Sequence, residues 1–355
     1  MVGAGADQTI VLATADTTKQ TQSVLAVTAA GRPKWGRVVH RGGLPAENHP
    51  KNTESSCTVA SDGESVFASF YNDSAIRLTK LDLAGQVQWQ QSVGRFAPNQ
   101  YKYGYAASPL LIPESVAGQR LVVVVGDFDG DGFLAALDPD SGEPVWKVRR
   151  PTATSFSSPI LARVAGRDQI LLSGAEMVAA YNPSDGQLLW SVPGATTMAT
   201  CGTMVWTDDL VFASGGYPKP QTVAIRADGS GEVVWDNTVK CYEQSMLRVG
   251  DHLYAVSDNG AIYCWRAADG KTMWRTRFAG PHSASPILVG DVIHAFNEQG
   301  LGRSFEANPD RYVQRSEHKI ADEVFATPAV VGETMFLRVA NRKGGRRQEQ
   351  LLAIR

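Results

Sequence analysis

The stretch Gly126–Val148, GDFDGDGFLAALDPDSGEPVWKV, decides the fold, because its two halves point to different structures. From Asp127 it reads D-x-D-x-D-G, the opening of an oxygen-ligand calcium loop, with Asp127, Asp129 and Asp131 in ligand places and Asp138 at the twelfth. From Asp138 it reads D-x-x-S-G-x-x-x-W, a tight turn whose outgoing strand carries an indole. Whichever half recurs along the chain governs the architecture.

The second half recurs. Tryptophans at 35, 89, 146, 190, 235 and 274 share the G-x-x-x-W setting, at spacings of 54, 57, 44, 45 and 39 residues, and Gln314 occupies the equivalent slot of a seventh, degenerate copy 40 residues on. A period of this size marks a repeat architecture. Within each copy, four short apolar runs are separated by Gly, Asp, Asn and Pro, as in SSPILARV, DQILLSGA, MVAAYNPSDG and QLLWSV, and none shows sustained helical periodicity. Each unit is therefore expected to be a four-stranded antiparallel blade with strands a to d, its indole wedging it against the next. A lone blade cannot bury both faces, so the copies must stack radially.

The expected fold is all-β, an eight-bladed β-propeller forming a single domain over 1–355, with blades near 1–40, 55–94, 106–150, 157–194, 201–239, 243–278, 283–320 and 326–355. Seven inner strands are recognisable, at Ser55, Ala106, Ser157, Cys201, Glu243, Ser283 and Ala326. The ends require the eighth blade: the chain opens on the tail of an a strand and a b strand, and closes on a c strand. A d strand for the last blade and most of an a strand for the first are expected to lie N-terminal to Met1, in a segment that would also carry an export signal.

A formal net charge of −2 in 355 residues gives no electrostatic basis for binding nucleic acid. No run approaches the ~20 apolar residues of a membrane-spanning helix. A protein partner or a neutral small molecule or glycan fits better, and the protein is expected to be monomeric. Cys57, Cys201, Cys241 and Cys264 lack metal-ligand spacing and read as buried or loop thiols, with a disulfide between Cys201 and Cys241 as the alternative.

The copies LDPDSGEPVWKV, YNPSDGQLLWSV and WRAADGKTMWRT, preceded by strands beginning SSP or ASP, resemble the tryptophan-docking repeat of pyrroloquinoline quinone (PQQ) propellers over essentially the whole chain. HPKNTESSCTVASDGESVFASF with DGDGFLAALDPDSG is similar to planctomycete-type exported repeat proteins and to the lipoprotein scaffold of the outer-membrane barrel-assembly machinery. That resemblance implies a periplasmic or otherwise extracytoplasmic location and a non-catalytic scaffold or ligand-binding role. The quinoprotein dehydrogenases of the superfamily imply adjacent cysteines and a calcium held by Glu, Asn and Asp. No two cysteines are adjacent here, which argues against PQQ as cofactor. The alternative function is a PQQ-dependent oxidoreductase or a polysaccharide-acting propeller enzyme.

In such a ring the d-to-a joins gather on one face. They place His49, Lys51, Glu54, Tyr103, Tyr105, Arg150, Phe156, Met198, Glu243, Gln244, His282 and Glu323 at a common mouth as candidate ligand or partner contacts, with no catalytic set among them. The aspartates of the opening stretch fall where other copies have their b-to-c turn, so they read as a solvated turn, with calcium held by Asp127, Asp129, Asp131 and Asp138 as the alternative. The basic hairpin Asn341–Gln350 reads as a solvated turn, with a docking patch for an acidic partner as its alternative.

Overall fold

The computed structural model describes residues 8–355. Thirty strands and one four-residue helix, Glu114–Ala117, form eight antiparallel sheets in chain order. Six have four strands. The first (Thr9–Asp16, Thr21–Thr28, Pro33–Arg41) and the last (Ala329–Val331, Thr334–Lys343, Arg346–Ile354) have three among the described residues. This is the all-β, eight-bladed propeller expected from the repeat. The expected tail of an a strand in blade 1 falls on residues 1–7, outside the described residues. No described helix is long and apolar enough to cross a membrane.

The chain divides into two compact units, residues 1–162 with 168–191 and residues 163–167 with 192–355. In the first, a continuous core runs through blades 2 to 4, built on b and c strands that are buried at every position in blade 3 (Leu121–Gly126 and Phe133–Leu137). In the second, Phe212, Leu253 and Trp265 centre one cluster and Tyr254, Phe278 and Phe305 the next. The d strands alternate between half-buried and exposed because successive side chains point to opposite faces, one packed and one in solvent, as in Pro144–Arg149.

The indoles dock as the repeat predicts. Trp35 Nε1 donates to the Leu83 carbonyl at 2.9 Å and Trp89 to Pro139 at 3.1 Å; in the other unit Trp235 donates to Ala267 at 2.8 Å and Trp274 to Asn308 at 2.8 Å. Each acceptor lies in the c-to-d turn of the next blade. At Gly85, Gly142 and Gly270 a Cβ would sit 2.6–2.8 Å from that ring, and all three have positive φ, so glycine is required both by the turn and by the indole lying on it. Trp146 covers Gly186 in the same way, but its Nε1 is buried without a partner. Trp190 departs from the pattern, donating to Gln169 Oε1 at 2.7 Å in its own blade.

One detail differs from expectation, and one alternative is not taken up. Gln314 is not the tryptophan equivalent: it pairs with Phe305 beyond the c/d bulge, as Thr272 pairs with Trp265, so the position matching Trp274 is Ser316. The cause is the c-to-d turn of blade 7, which closes with Glu306 N–H on the Val313 carbonyl and is two residues longer than the Arg266-to-Lys271 turn. Cys201 and Cys241 are free thiols rather than a disulfide.

A second circumferential device lies at the start of the described a strands, those of blades 2 to 8. Thr58 N–H donates to Ser108 Oγ (2.9 Å) and Ser108 N–H to Ser158 Oγ (2.8 Å). In the other unit Thr203, Ser245 and Ser285 donate in turn to the hydroxyls of Ser245 (2.9 Å), Ser285 (2.9 Å) and Thr327 (3.0 Å). The hydroxyl always stands two residues before the strand, as Ser108 stands before Leu110 and Ser285 before Ile287. The recurrent SSP and ASP serines thus stitch blade to blade.

Candidate functional site

The joins of the first unit form one ordered assembly. Asn52 is its staple: its Nδ2 donates to the Tyr103 carbonyl at 2.8 Å and its Oδ1 accepts the Glu54 N–H at 2.8 Å. Gly104, at φ +82, leaves room for this, since a Cβ there would fall 2.5 Å from Asn48 Oδ1 and 2.7 Å from Asn52 Nδ2. Lys102 pairs with Glu47 at 3.0 Å. The HPKN segment therefore packs its polar side chains onto the YKYGY segment of the following join.

An aromatic cluster crowns this frame. Tyr103 stacks on Phe156 (6.2 Å, 26° between planes) and meets His49 (5.0 Å, 71°) and Tyr101 (5.8 Å, 67°) edge to face. Phe156 is buried at 6% exposure while Tyr103 is exposed at 38%, so the cluster is anchored from below and open above. Offset and edge-to-face pairs of this kind add about 0.5–1.5 kcal/mol each beyond burial. His49 Nδ1 accepts the Lys51 N–H at 3.2 Å, which leaves Nε2 as the protonated nitrogen of the neutral ring. Glu54 and Tyr101, neither a glycine, hold left-handed backbones at φ 59 and 49, the kind of strain that collects at ligand contacts. The Glu54 carboxyl is half-buried, and burial raises its pKa against a hydrogen bond from Asn48.

The other candidates in this unit are committed to the fold. Tyr105 is buried, with its hydroxyl donating to the Val125 carbonyl at 2.9 Å. Arg150 is buried in a fork with Asp127, Nε to Oδ1 at 2.9 Å and Nη2 to Oδ2 at 2.7 Å, and its Nη1 donates to the Tyr181 hydroxyl at 2.7 Å. Burial opposes the guanidinium charge, and the Asp127 carboxylate more than offsets it, raising the Arg150 pKa.

These contacts bear on the calcium alternative. Both Asp127 oxygens face Arg150. Asp129 accepts the Asn99 and Gln100 amides at 2.8 and 2.9 Å, and Asp131 pairs with exposed Arg149 at 3.1 Å. Asp138 lies beyond the strand Phe133–Leu137, roughly 15 Å further on at the rise of a β-strand, where it caps the next turn through the amides of Asp140 and Ser141. The four carboxylates are thus not brought together, and no group of three or more His, Cys, Asp or Glu suited to a metal occurs among the described residues.

In the second unit the candidates are again largely structural. Gln244 is buried, donating to the Val256 carbonyl at 2.8 Å, and its Oε1 accepts the Glu243 N–H at 3.1 Å. His282 is buried against Phe278 (4.8 Å), with Nδ1 3.0 Å from the Gly280 carbonyl and Nε2 unpartnered. Burial lowers its pKa to about 4. Met198 is half-buried in the join Gly194–Cys201. Glu323 spans Arg342 and Arg347, both at 2.7 Å, and the Arg347 hydrogen bond lowers its pKa. Sequence reasoning missed Tyr101, Asn52 and the Asp127–Arg150 fork; the alternation Y-K-Y-G-Y was the available signal for the first.

Comparison with known proteins places this geometry. The family model described as "Outer membrane protein assembly factor BamB" matches residues 105–276 and 219–308, more than half of the chain. The BamB of Bordetella pertussis is 25% identical over 292 residues, 77% of this chain and 67% of that protein. A 1-butanol dehydrogenase (quinone) from Thauera butanivorans is 25% identical over 199 residues, 53% of this chain but 30% of that protein. Among solved structures, BamB from Moraxella catarrhalis superposes with a TM-score of 0.63 at 14% identity, covering 94% of each chain. A europium-containing methanol dehydrogenase superposes with a TM-score of 0.67 at 12% identity, over 95% of this chain and 81% of that one. At such identities the superpositions show the fold alone, whereas the match of the family model settles membership: the chain belongs to the PQQ-like repeat family described as outer membrane protein assembly factor BamB.

Proposed function

We propose that the protein is a non-catalytic, extracytoplasmic scaffold of the outer-membrane assembly type, which holds a protein partner at the joins of its first unit. The observation that carries this is the contrast within those joins. Arg150 and Tyr105 are consumed by fold contacts, while Tyr103, 38% exposed on a rigid base of Phe156 and Asn52, is presented outward. Rigid, half-exposed tyrosines suit binding, because they offer large contact area with little entropy to lose. His49, Lys51 and Glu54 would rim that contact. In the second unit, the half-buried join residues Met198 and Glu243 would add secondary contacts.

The likeness to quinone dehydrogenases supports an oxidoreductase as the second reading. The residues fit it poorly: Cys57, Cys241 and Cys264 are buried and separate, and burial pushes the Cys57 and Cys241 thiols up to about 12, away from thiolate chemistry. Incubating the protein with PQQ and calcium and following dye reduction with 1-butanol separates the two readings. A scaffold gives neither a quinone spectrum after desalting nor turnover; both together would reverse the ranking.

A further inference from the structure

The b-to-c hairpin of blade 8 is the longest among the described residues, ten residues out and nine back. It closes on Gly344 and Gly345, both at positive φ, in the two-residue turn that matches strand twist. Two clamps hold it. Glu323 pairs with Ala340 through both backbone hydrogen bonds (3.0 and 2.9 Å), and its carboxylate bridges Arg342 and Arg347. Glu349 takes Arg347 at 2.6 Å and also Arg338. Glu323, a candidate contact at the mouth, is the hub that fixes this hairpin.

What the clamps leave over is the tip. Lys343 and Arg346 are register partners flanking the glycines, both exposed, and neither forms an ion pair among the described residues. Nothing lies within 4 Å of where a Cβ on Gly344 or Gly345 would be, so a partner can approach the turn backbone unobstructed. The molecule as a whole carries a formal charge of −2, so two unpaired cations side by side on a braced arm are a local exception.

We propose that this tip is a docking site for an acidic protein segment, with Lys343 and Arg346 receiving an Asp or Glu side chain and the glycine turn admitting the segment's backbone. An anionic membrane is disfavoured as occupant, because polybasic adsorption draws on about four to eight cations and all but two here are already paired. Bracing by Glu323 lowers the entropy lost on binding, as preorganised contacts do.

The test uses the full chain and a fluorescein-labelled peptide of alternating glutamate and serine, followed by anisotropy at low salt. Lys343→Gln with Arg346→Gln is expected to weaken binding by about tenfold or more with no change in melting temperature, since both residues are exposed. The control, Lys19→Gln with Arg32→Gln, removes two exposed cations elsewhere and is expected to leave the affinity unchanged. Equal losses in the two variants would reduce the effect to net charge and overturn the proposal. So would failure of the unmodified protein to bind the peptide, or sedimentation with vesicles rich in anionic phospholipid that the hairpin variant abolishes while peptide binding is absent.

Discussion

Ser285 Oγ accepts the backbone N–H of Ser245 at 2.9 Å, while the N–H of Ser285 goes on to Thr327 Oγ1 at 3.0 Å, so each hydroxyl is at once the end of one blade's bond and the neighbour of the next. Ser285→Ala leaves the Ser245 amide without that acceptor and is expected to cost about 1–3 kcal/mol of unfolding free energy by urea titration. Ser285→Thr, which keeps the hydroxyl, should recover most of it. Alanine at Ser108, which receives the exposed Thr58 amide, should cost less, about 0.5–1.5 kcal/mol, because water can take its place.

The tryptophan docking makes a steric prediction. Gly142 and Gly332 both have positive φ, +76 and +56, but a Cβ on Gly142 would lie 2.8 Å from the Trp89 ring, while Gly332 has nothing within 4 Å. Alanine at Gly332 should cost only the left-handed backbone penalty, about 1–2 kcal/mol. Alanine at Gly142 should cost roughly a further 1–3 kcal/mol, because the indole must be displaced. Trp89 fluorescence should shift in the second variant and not in the first.

The Asp127–Arg150 fork engages both oxygens of a carboxylate that the calcium alternative would need. Arg150→Met alone strands the buried Asp127 carboxylate and should destabilise by about 3–5 kcal/mol, whereas Asp127→Leu combined with Arg150→Met should be much less costly, about neutral in the best case. Adding calcium to the unmodified protein should leave the melting temperature unchanged, because the Asp127 oxygens already face the guanidinium.

Acid should weaken the fold through two histidines. His40 and His282 are buried with Nε2 unpartnered, and burial lowers each pKa to about 4, against about 6.5 in the unfolded chain. Between these values the unfolded chain binds protons that the folded protein does not. Stability is therefore level above pH 6.5 and falls as pH drops toward 4, by roughly 1–3 kcal/mol per histidine. Arg77 beside His40 reinforces the shift, whereas the Gly280 carbonyl and Glu298 oppose it at His282. Replacing His282 by Phe should flatten about half of the slope in urea midpoints measured across this range.

The repeat was legible because six copies share a glycine that accepts positive φ with an indole four residues after it, and the described inner strands carry a hydroxyl two residues ahead. The joins were not, because what decides them is where a loop's side chain turns, and spacing is silent on that. Arg150 looked like a rim residue and folds back 23 positions to Asp127; Glu323 turns toward Arg347, 24 positions ahead. Gln314 misled by a two-residue longer turn that only strand pairing exposes. Tyr103 and Phe156 were singled out as loop aromatics, but their stacking across two joins depends on Asn52 and Gly104, whose roles emerge only from contact.

The proposed function rests on Tyr103 facing a protein. The most direct measurement is photo-crosslinking in cells that produce the full protein, with a benzophenone amino acid in place of Tyr103 and, as control, of Leu188, which is more exposed at 50% but lies on a d strand away from the joins. A discrete protein adduct at position 103, absent at 188 and identified by mass spectrometry as another outer-membrane assembly component, is the predicted result. No protein adduct at 103, or the same adducts at both positions, would contradict it.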